Sequence, residues 1–205
     1  MKLKERNGGF TYVELIVVLS IFAMMSSLVM FNYGAFQAKV DIKVLASNIA
    51  LKIVQAQKDA MSGKSDKWAE YYDSNWKPSY GVHFDSNSGS NTNFTYFADF
   101  STPDHRFDGG SCDGTSECID ETSINKGDVV KDISYSSGGS LTSVNGKFDI
   151  TFTRPNSGAT FHFSTDSQPV VDYAQITISS GDGSATSCIQ VYASGRIQIV
   201  QCPSH

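Results

Sequence analysis

Gly9-Phe10-Thr11-Tyr12-Val13-Glu14, running straight into LIVVLSIFAMMSSLVMF at residues 15–31, is the stretch from which the rest of the chain is read. The 17 residues of the second part carry no charge, and only Ser20, Ser26 and Ser27 are polar. Counted from Phe10 the apolar run holds 22 residues with one charged member, Glu14. As a helix it would be about 33 Å long, enough for the hydrocarbon core of a bilayer. Lys2, Lys4 and Arg6 precede it against a single Glu5, so the positive-inside rule leaves the N-terminus in the cytoplasm and sends the remainder outward. A cleaved secretory signal wants a shorter apolar region with small residues directly behind it, whereas this run meets Phe31-Asn32-Tyr33-Gly34. A plain membrane anchor explains length and flank but gives Glu14 no reason. A carboxylate inside an apolar helix costs about 2.5–3.5 kcal/mol on insertion scales, so it should have a partner or a purpose.

Helical patterning continues past the apolar run. Ile42, Leu45, Ile49, Ile53, Ala56 and Ala60 share one stripe, with Lys43, Asn48, Lys52, Gln55, Lys58 and Asp59 around the rest. No proline precedes Pro78 and Gly63 suits a C-cap, so one helix from about residue 11 to residue 62 is expected, roughly 75–80 Å long. Beyond Gly63 the pattern changes to short β-branched and aromatic runs, predicted as strands at 80–85, 93–100, 129–135, 147–153, 160–164, 174–179, 187–192 and 196–201. Gly, Ser, Asn and Asp clusters at 86–93, 136–140 and 179–184 separate them. Alternation such as Phe148-Asp149-Ile150-Thr151-Phe152 buries one face, and the helix stripe supplies a cover for it. The expected fold class is α+β, a long N-terminal helix with a membrane-spanning first half, packed on antiparallel β-sheet. Trp68, Tyr71, Tyr72, Trp76 and Tyr80 read as packing between helix and sheet, with a ligand-stacking surface as the alternative.

Charge divides unevenly. Residues 1–64 hold eight Lys/Arg and four Asp/Glu, and residues 65–205 hold eight and 17. A domain of net charge −9 is a poor general nucleic-acid binder, because phosphate contacts need clustered cations; Lys147, Arg154 and Arg196 are what a local basic patch for DNA would use. Cys112, Cys118, Cys188 and Cys202 form an even set beyond the apolar segment, which suggests disulfides. Cys112–Cys118 with Cys188–Cys202 is the economical pairing; two other pairings, and a zinc site, remain as alternatives. Asp99, Asp104, Asp108, Asp113, Glu117, Asp120 and Glu121 crowd a Gly/Ser-rich loop. It reads as a solvated acidic loop, or as a calcium site with Asp104, Asp108 and Asp113 as ligands, although no EF-hand frame is present. His83, His105, His162 and His205 are scattered, His162 pointing outward between Phe161 and Phe163, and no catalytic motif accompanies them.

Behind a short basic leader and ahead of an apolar helix, Gly9-Phe10-Thr11-Tyr12-Val13-Glu14-Leu15 closely resembles the type IV prepilin signal. The resemblance implies that a prepilin peptidase cuts between Gly9 and Phe10 and methylates the new amine at Phe10. Gly8 is the alternative cut by identity alone, but only Gly9 has an aromatic residue after it and a glutamate four places beyond that. It also implies that Glu14 of one subunit meets the Phe10 amine of a neighbour during assembly, with an intrachain contact one turn away as the alternative. The segments at 152–158, 176–178 and 191–197 are similar to the end of H-type minor pseudopilins of type II secretion and related minor pilins. The organisation so implied is a leader at 1–9, a transmembrane and assembly half-helix at 10–33, an amphipathic half at 34–62 and a β-rich pilin domain at 63–205. Such a chain is a non-enzymatic fibre subunit without a resident cofactor, minor rather than bulk, in a type IV pilus or a secretion pseudopilus. It is stored single-pass in the cytoplasmic membrane among lipid and then assembled at the cell surface or in the periplasm. Its partners would be the peptidase, an assembly platform with its ATPase, and sibling pilins; a fibre-borne adhesin or DNA-uptake module is the alternative.

Overall fold

The computed structural model describes residues 9–64, 78–100, 104–164 and 170–202, apart from the side chains of 28–32. Residues 1–8 of the expected leader at 1–9, the aromatic residues Trp68, Tyr71, Tyr72 and Trp76, and His205 lie outside the described residues.

One helix is described, α1 (Tyr12–Ser62). Thr11 starts it: the Glu14 N–H donates to Thr11 Oγ1 at 3.3 Å and the Leu15 N–H to the Thr11 carbonyl at 3.1 Å. With Glu14 three places after the cap, Thr11-Tyr12-Val13-Glu14 has the sequence of a capping box. Gly63 ends the helix at φ 62°, its N–H donating to Ala60 while the Lys64 N–H reaches back to Asp59, both at 3.1 Å. This is a Schellman closure, which needs a residue tolerant of positive φ. The chain divides into two compact units, Met1–Gln37 and Ala38–His205.

Among the described residues of the second unit, ten strands follow α1: β1 (Ser79–Asp85), β2 (Asn93–Asp99), β3 (Cys118–Ser123), β4 (Val129–Ser137), β5 (Ser140–Val144), β6 (Lys147–Phe152), β7 (Ala159–Phe163), β8 (Tyr173–Ser179), β9 (Thr186–Tyr192) and β10 (Ile197–Val200). They form two five-stranded sheets, ordered β3-β2-β1-β6-β7 and β10-β9-β8-β4-β5, with every pairing antiparallel. Both sheets turn one face to a common core. The first contributes Tyr80, Val82, Phe84, Tyr96, Phe148 and Ile150; the second contributes Val130, Ile133, Ile176, Ile178, Ile189 and Val191. The helix enters with Ile42, Ala46, Ile49, Ile53, Ala56 and Ala60, spaced 4-3-4-3-4 and all buried. Leu45, expected on that stripe, is only half-buried, and Ala46 takes the buried place. Polar contacts seat the helix at its margins: Lys52 pairs with Asp120 at 2.6 Å, Asp59 accepts from the Tyr96 hydroxyl at 2.6 Å, and Gln57 Nε2 donates to the carbonyls of Ser157 (2.9 Å) and Gly195 (3.1 Å).

The expected fold class is corrected on two counts. The chain is mostly β, two antiparallel sheets rather than one beneath a helix, because ten one-sided strands hold more apolar surface than a single helical stripe covers. Among the described residues no helix is long and apolar enough to cross a membrane, so the single-pass membrane location, with the N-terminus in the cytoplasm, falls as well.

Candidate functional site

Two places carry side chains in excess of what the core needs. The first is the start of α1. Phe10 is 81% exposed, and Val13, Phe22, Met24 and Met25 are each more than 60% exposed. Consecutive residues from Leu15 to Leu19 are all about half exposed, so the apolar surface runs round the whole helix rather than along one stripe. That exceeds the single apolar stripe with which a helix ordinarily packs on a core. Gly9 and Phe10, the expected cleavage pair, precede the cap and are exposed. Glu14 lies in the first turn, where a carboxylate also favours the helix dipole. That local role was legible from the T-x-x-E spacing and is independent of any partner chain.

The second place is the outward face of the second sheet. Alternation puts Ser134, Gln175, Gln190 and Gln198 on the side away from the core, and the pairing aligns them. Gln198 Nε2 donates to Gln190 Oε1 at 2.8 Å, and Gln190 Nε2 to Gln175 Oε1 at 2.9 Å. A groove of about 580 Å³ opens over Asp132, Ser134, Leu141, Ser143, Gln175 and Thr177, a volume usual for small-ligand sites. Single-residue periodicity in the sequence shows which residues face outward, but only strand pairing shows that they form one row.

The acidic loop is organised as a cover rather than a cage. Asp104 and Asp113 each cap their own turn, accepting from the N–H of Arg106 (3.0 Å) and of Thr115 (2.9 Å). The two hydrogen bonds from Thr115 hold the exposed Asp113 carboxyl below its ordinary pKa. The Asp108 N–H donates to buried Glu117 at 3.0 Å, as does the Phe100 N–H at 3.3 Å. Among the described residues no group of three or more His, Cys, Asp or Glu is placed to hold a metal ion. Underneath, Phe107 rests on Phe97 and His83, and His83 bonds Asp149 at 2.6 Å. Asp99 is fully buried; it accepts from the His105 N–H at 2.9 Å, while its Oδ1 has no partner. Burial pushes its pKa up to about 7, helped by the negative charges of Glu117, Asp104 and Asp108 and opposed by the His105 N–H.

Among the described residues, Ser79, His105 and Asp99 are not arranged as a catalytic relay. Ser79 Oγ and Asp99 Oδ2 both face Nδ1 of His105, at 3.4 and 3.8 Å, whereas a nucleophile–base–orienter relay uses opposite ring nitrogens. His162 does lie on the outward face, across from Asp149. Its pKa is lowered by burial first, and then by the charges of Arg106 and His105.

All four cysteines are joined, Cys112 to Cys118 and Cys188 to Cys202, which leaves no thiolate for zinc. Lys147 and Arg154 bracket opposite ends of β6, more than about 20 Å apart at strand rise. Arg196 stacks on Tyr192, 3.8 Å from the ring centre. Of the three expected DNA-contacting cations, Lys147 is therefore held apart from Arg154. The chain matches no protein-family model, no curated protein and no solved structure.

Proposed function

We propose that this chain is a non-enzymatic structural subunit, a minor one, of a type IV pilus-like or secretion pseudopilus-like fibre, assembled through the first part of its helix. The observation that carries the reading is the all-round exposure of large apolar side chains from Phe10 to Met25. Burying about 25 cal/mol per Å² of such surface against the same segment of sibling subunits is the driving force. Processing between Gly9 and Phe10 and methylation of Phe10 precede assembly, as the leader's resemblance implies. The freed amine then meets Glu14 of a neighbour, so that neither charge is left alone among apolar helices. A prepilin peptidase and an assembly platform with its ATPase are the other partners.

The test uses the chain as cells produce it. Mass spectrometry of the N-terminus should find Phe10 first and methylated, and single cysteines placed at Val17 or Phe22 should crosslink copies or siblings in a sheared-fibre fraction. Recovery of the chain with residues 1–9 intact, uncrosslinked at both positions, would remove the proposal.

A further inference from the structure

The row on the second sheet has a direction and an unfinished end. One residue from each strand lies in it, in spatial order Ser143, Ser134, Gln175, Gln190 and Gln198. The carboxamides hand hydrogen bonds along it from Gln198 to Gln190 to Gln175, and Tyr192, bonded to both Gln198 (3.0 Å) and Gln190 (3.3 Å), holds the starting end in place. At the other end, Gln175 Nε2 has no acceptor among the described residues. Beside it in register is Ser134, 1% exposed, whose hydroxyl has no partner. Buried polar groups in native proteins are almost always satisfied, so the unpartnered Ser134 hydroxyl, beside the Gln175 amide that lines the groove, marks a place where a further molecule completes the network. Both residues line the groove of about 580 Å³.

We propose that this groove is a binding site for a neutral saccharide. A sugar hydroxyl accepts one hydrogen bond and donates another, which is what the free Gln175 amide hydrogens and the Ser134 oxygen require. Leu141, 37% exposed, and the Cys188–Cys202 bridge give the groove an apolar wall for the C–H faces of a sugar ring. Its charged residues are one lysine and one aspartate, Lys131 and Asp132, and Asp132 is already bonded to Ser143. That balance selects against carboxylated or phosphorylated ligands, whose charge would face Asp132 with a single compensating cation. Binding here is independent of the assembly reading and would give an assembled subunit a recognition surface.

Titrating the purified full chain with lactose and with N,N′-diacetylchitobiose at millimolar concentration tests the assignment, read by calorimetry and by the side-chain amide signals of Gln175, Gln190 and Gln198. At least one sugar should bind saturably and move the Gln175 signals most. Ser134→Ala should keep the unfolding temperature while weakening binding about fivefold, and Gln175→Glu should weaken it about tenfold or more. Absence of a shift with either sugar overturns the proposal. So does unchanged affinity in both folded variants, or stronger binding of sialyllactose than of lactose. Should either variant not fold, the Gln175 signals of the unaltered chain decide alone.

Discussion

The two sheets share one inner core and treat their outer faces in opposite ways. On the first sheet the loop between β2 and β3 folds back, seats Phe107 on Phe97 and His83, and closes over Asp99 and Glu117. On the second sheet the outward row of Ser and Gln is overlain by a groove. Gly81 illustrates how closely the first face is filled: a Cβ there would sit 2.7 Å from both the Phe97 ring and the Ile150 carbonyl. The first face uses its charges for stapling, whereas the second bonds its carboxamides to one another and leaves the Ser134 hydroxyl unpartnered. The lesson is that the number of polar residues on a face says little about function until their partners are known.

The largest effect should come from the core the sheets share. Ile53→Ala removes a fully buried side chain of that common core and is expected to cost about 3–4 kcal/mol. Chemical denaturation followed by fluorescence should show one transition moved to lower denaturant; two separated transitions would mean the sheets do not share a core.

The disulfides separate the sheets next. Replacing Cys188 and Cys202 by Ser opens a closure of 14 residues that ties the end of β10 to β9, for about 3 kcal/mol. The Cys112–Cys118 closure of six residues should be worth about 2 kcal/mol on the same chain-entropy reckoning. Hydrogen exchange should rise in β10 for the first pair of substitutions and in the loop over the first sheet for the second. The reverse pattern would break the comparison.

Asp99 sharpens it through pH. A carboxyl whose folded pKa stands at about 7 against an ordinary 3.8 binds more protons folded than unfolded across that interval. Its contribution to stability is full below about pH 4 and is lost as pH rises through about 7. Asp99→Asn keeps an acceptor for the His105 N–H, removes the charge and should flatten this slope. It should raise stability at pH 8 by roughly 1–2 kcal/mol, allowing for solvent screening. Melting curves at pH 4 and pH 8 check the sign. The smallest effect is at the open face, where Ser134→Ala removes a hydroxyl without a partner and should change stability by less than about 0.5 kcal/mol.

Eight of the ten described strands were readable from β-branched and aromatic runs, and Gly63 from its place behind an amphipathic stripe. β3 and β5 were not readable. Cys118-Ile119-Asp120-Glu121-Thr122-Ser123 carries two adjacent acids that read as loop, and Ser140-Leu141-Thr142-Ser143-Val144 follows a turn cluster and has little apolar content. Each becomes a strand because a neighbour's edge is available: β2 pairs with β3, and β4 pairs with β5. Of the sites, the disulfides were suggested by the even cysteine count, while sequence distance favoured one of three pairings that only the fold selects. Asp104 and Asp113, weighed as calcium ligands in the alternative reading of the loop, accept the N–H groups of Arg106 and Thr115, which composition alone does not show.

The sequence by itself determined the local facts: where the helix is capped and released, which side of each strand is apolar, and that the first helical turns expose more apolar surface than a lone chain keeps covered. Those follow from periodicity and from the φ preferences of single residues, which are properties of neighbours along the chain. Tertiary structure alone decided that the strands divide into two sheets, that the acidic loop closes over Asp99, and that Ser134 and Gln175 meet at the end of a hydrogen-bonded row. Those depend on pairing between segments far apart in sequence, where register, not composition, settles which groups find partners.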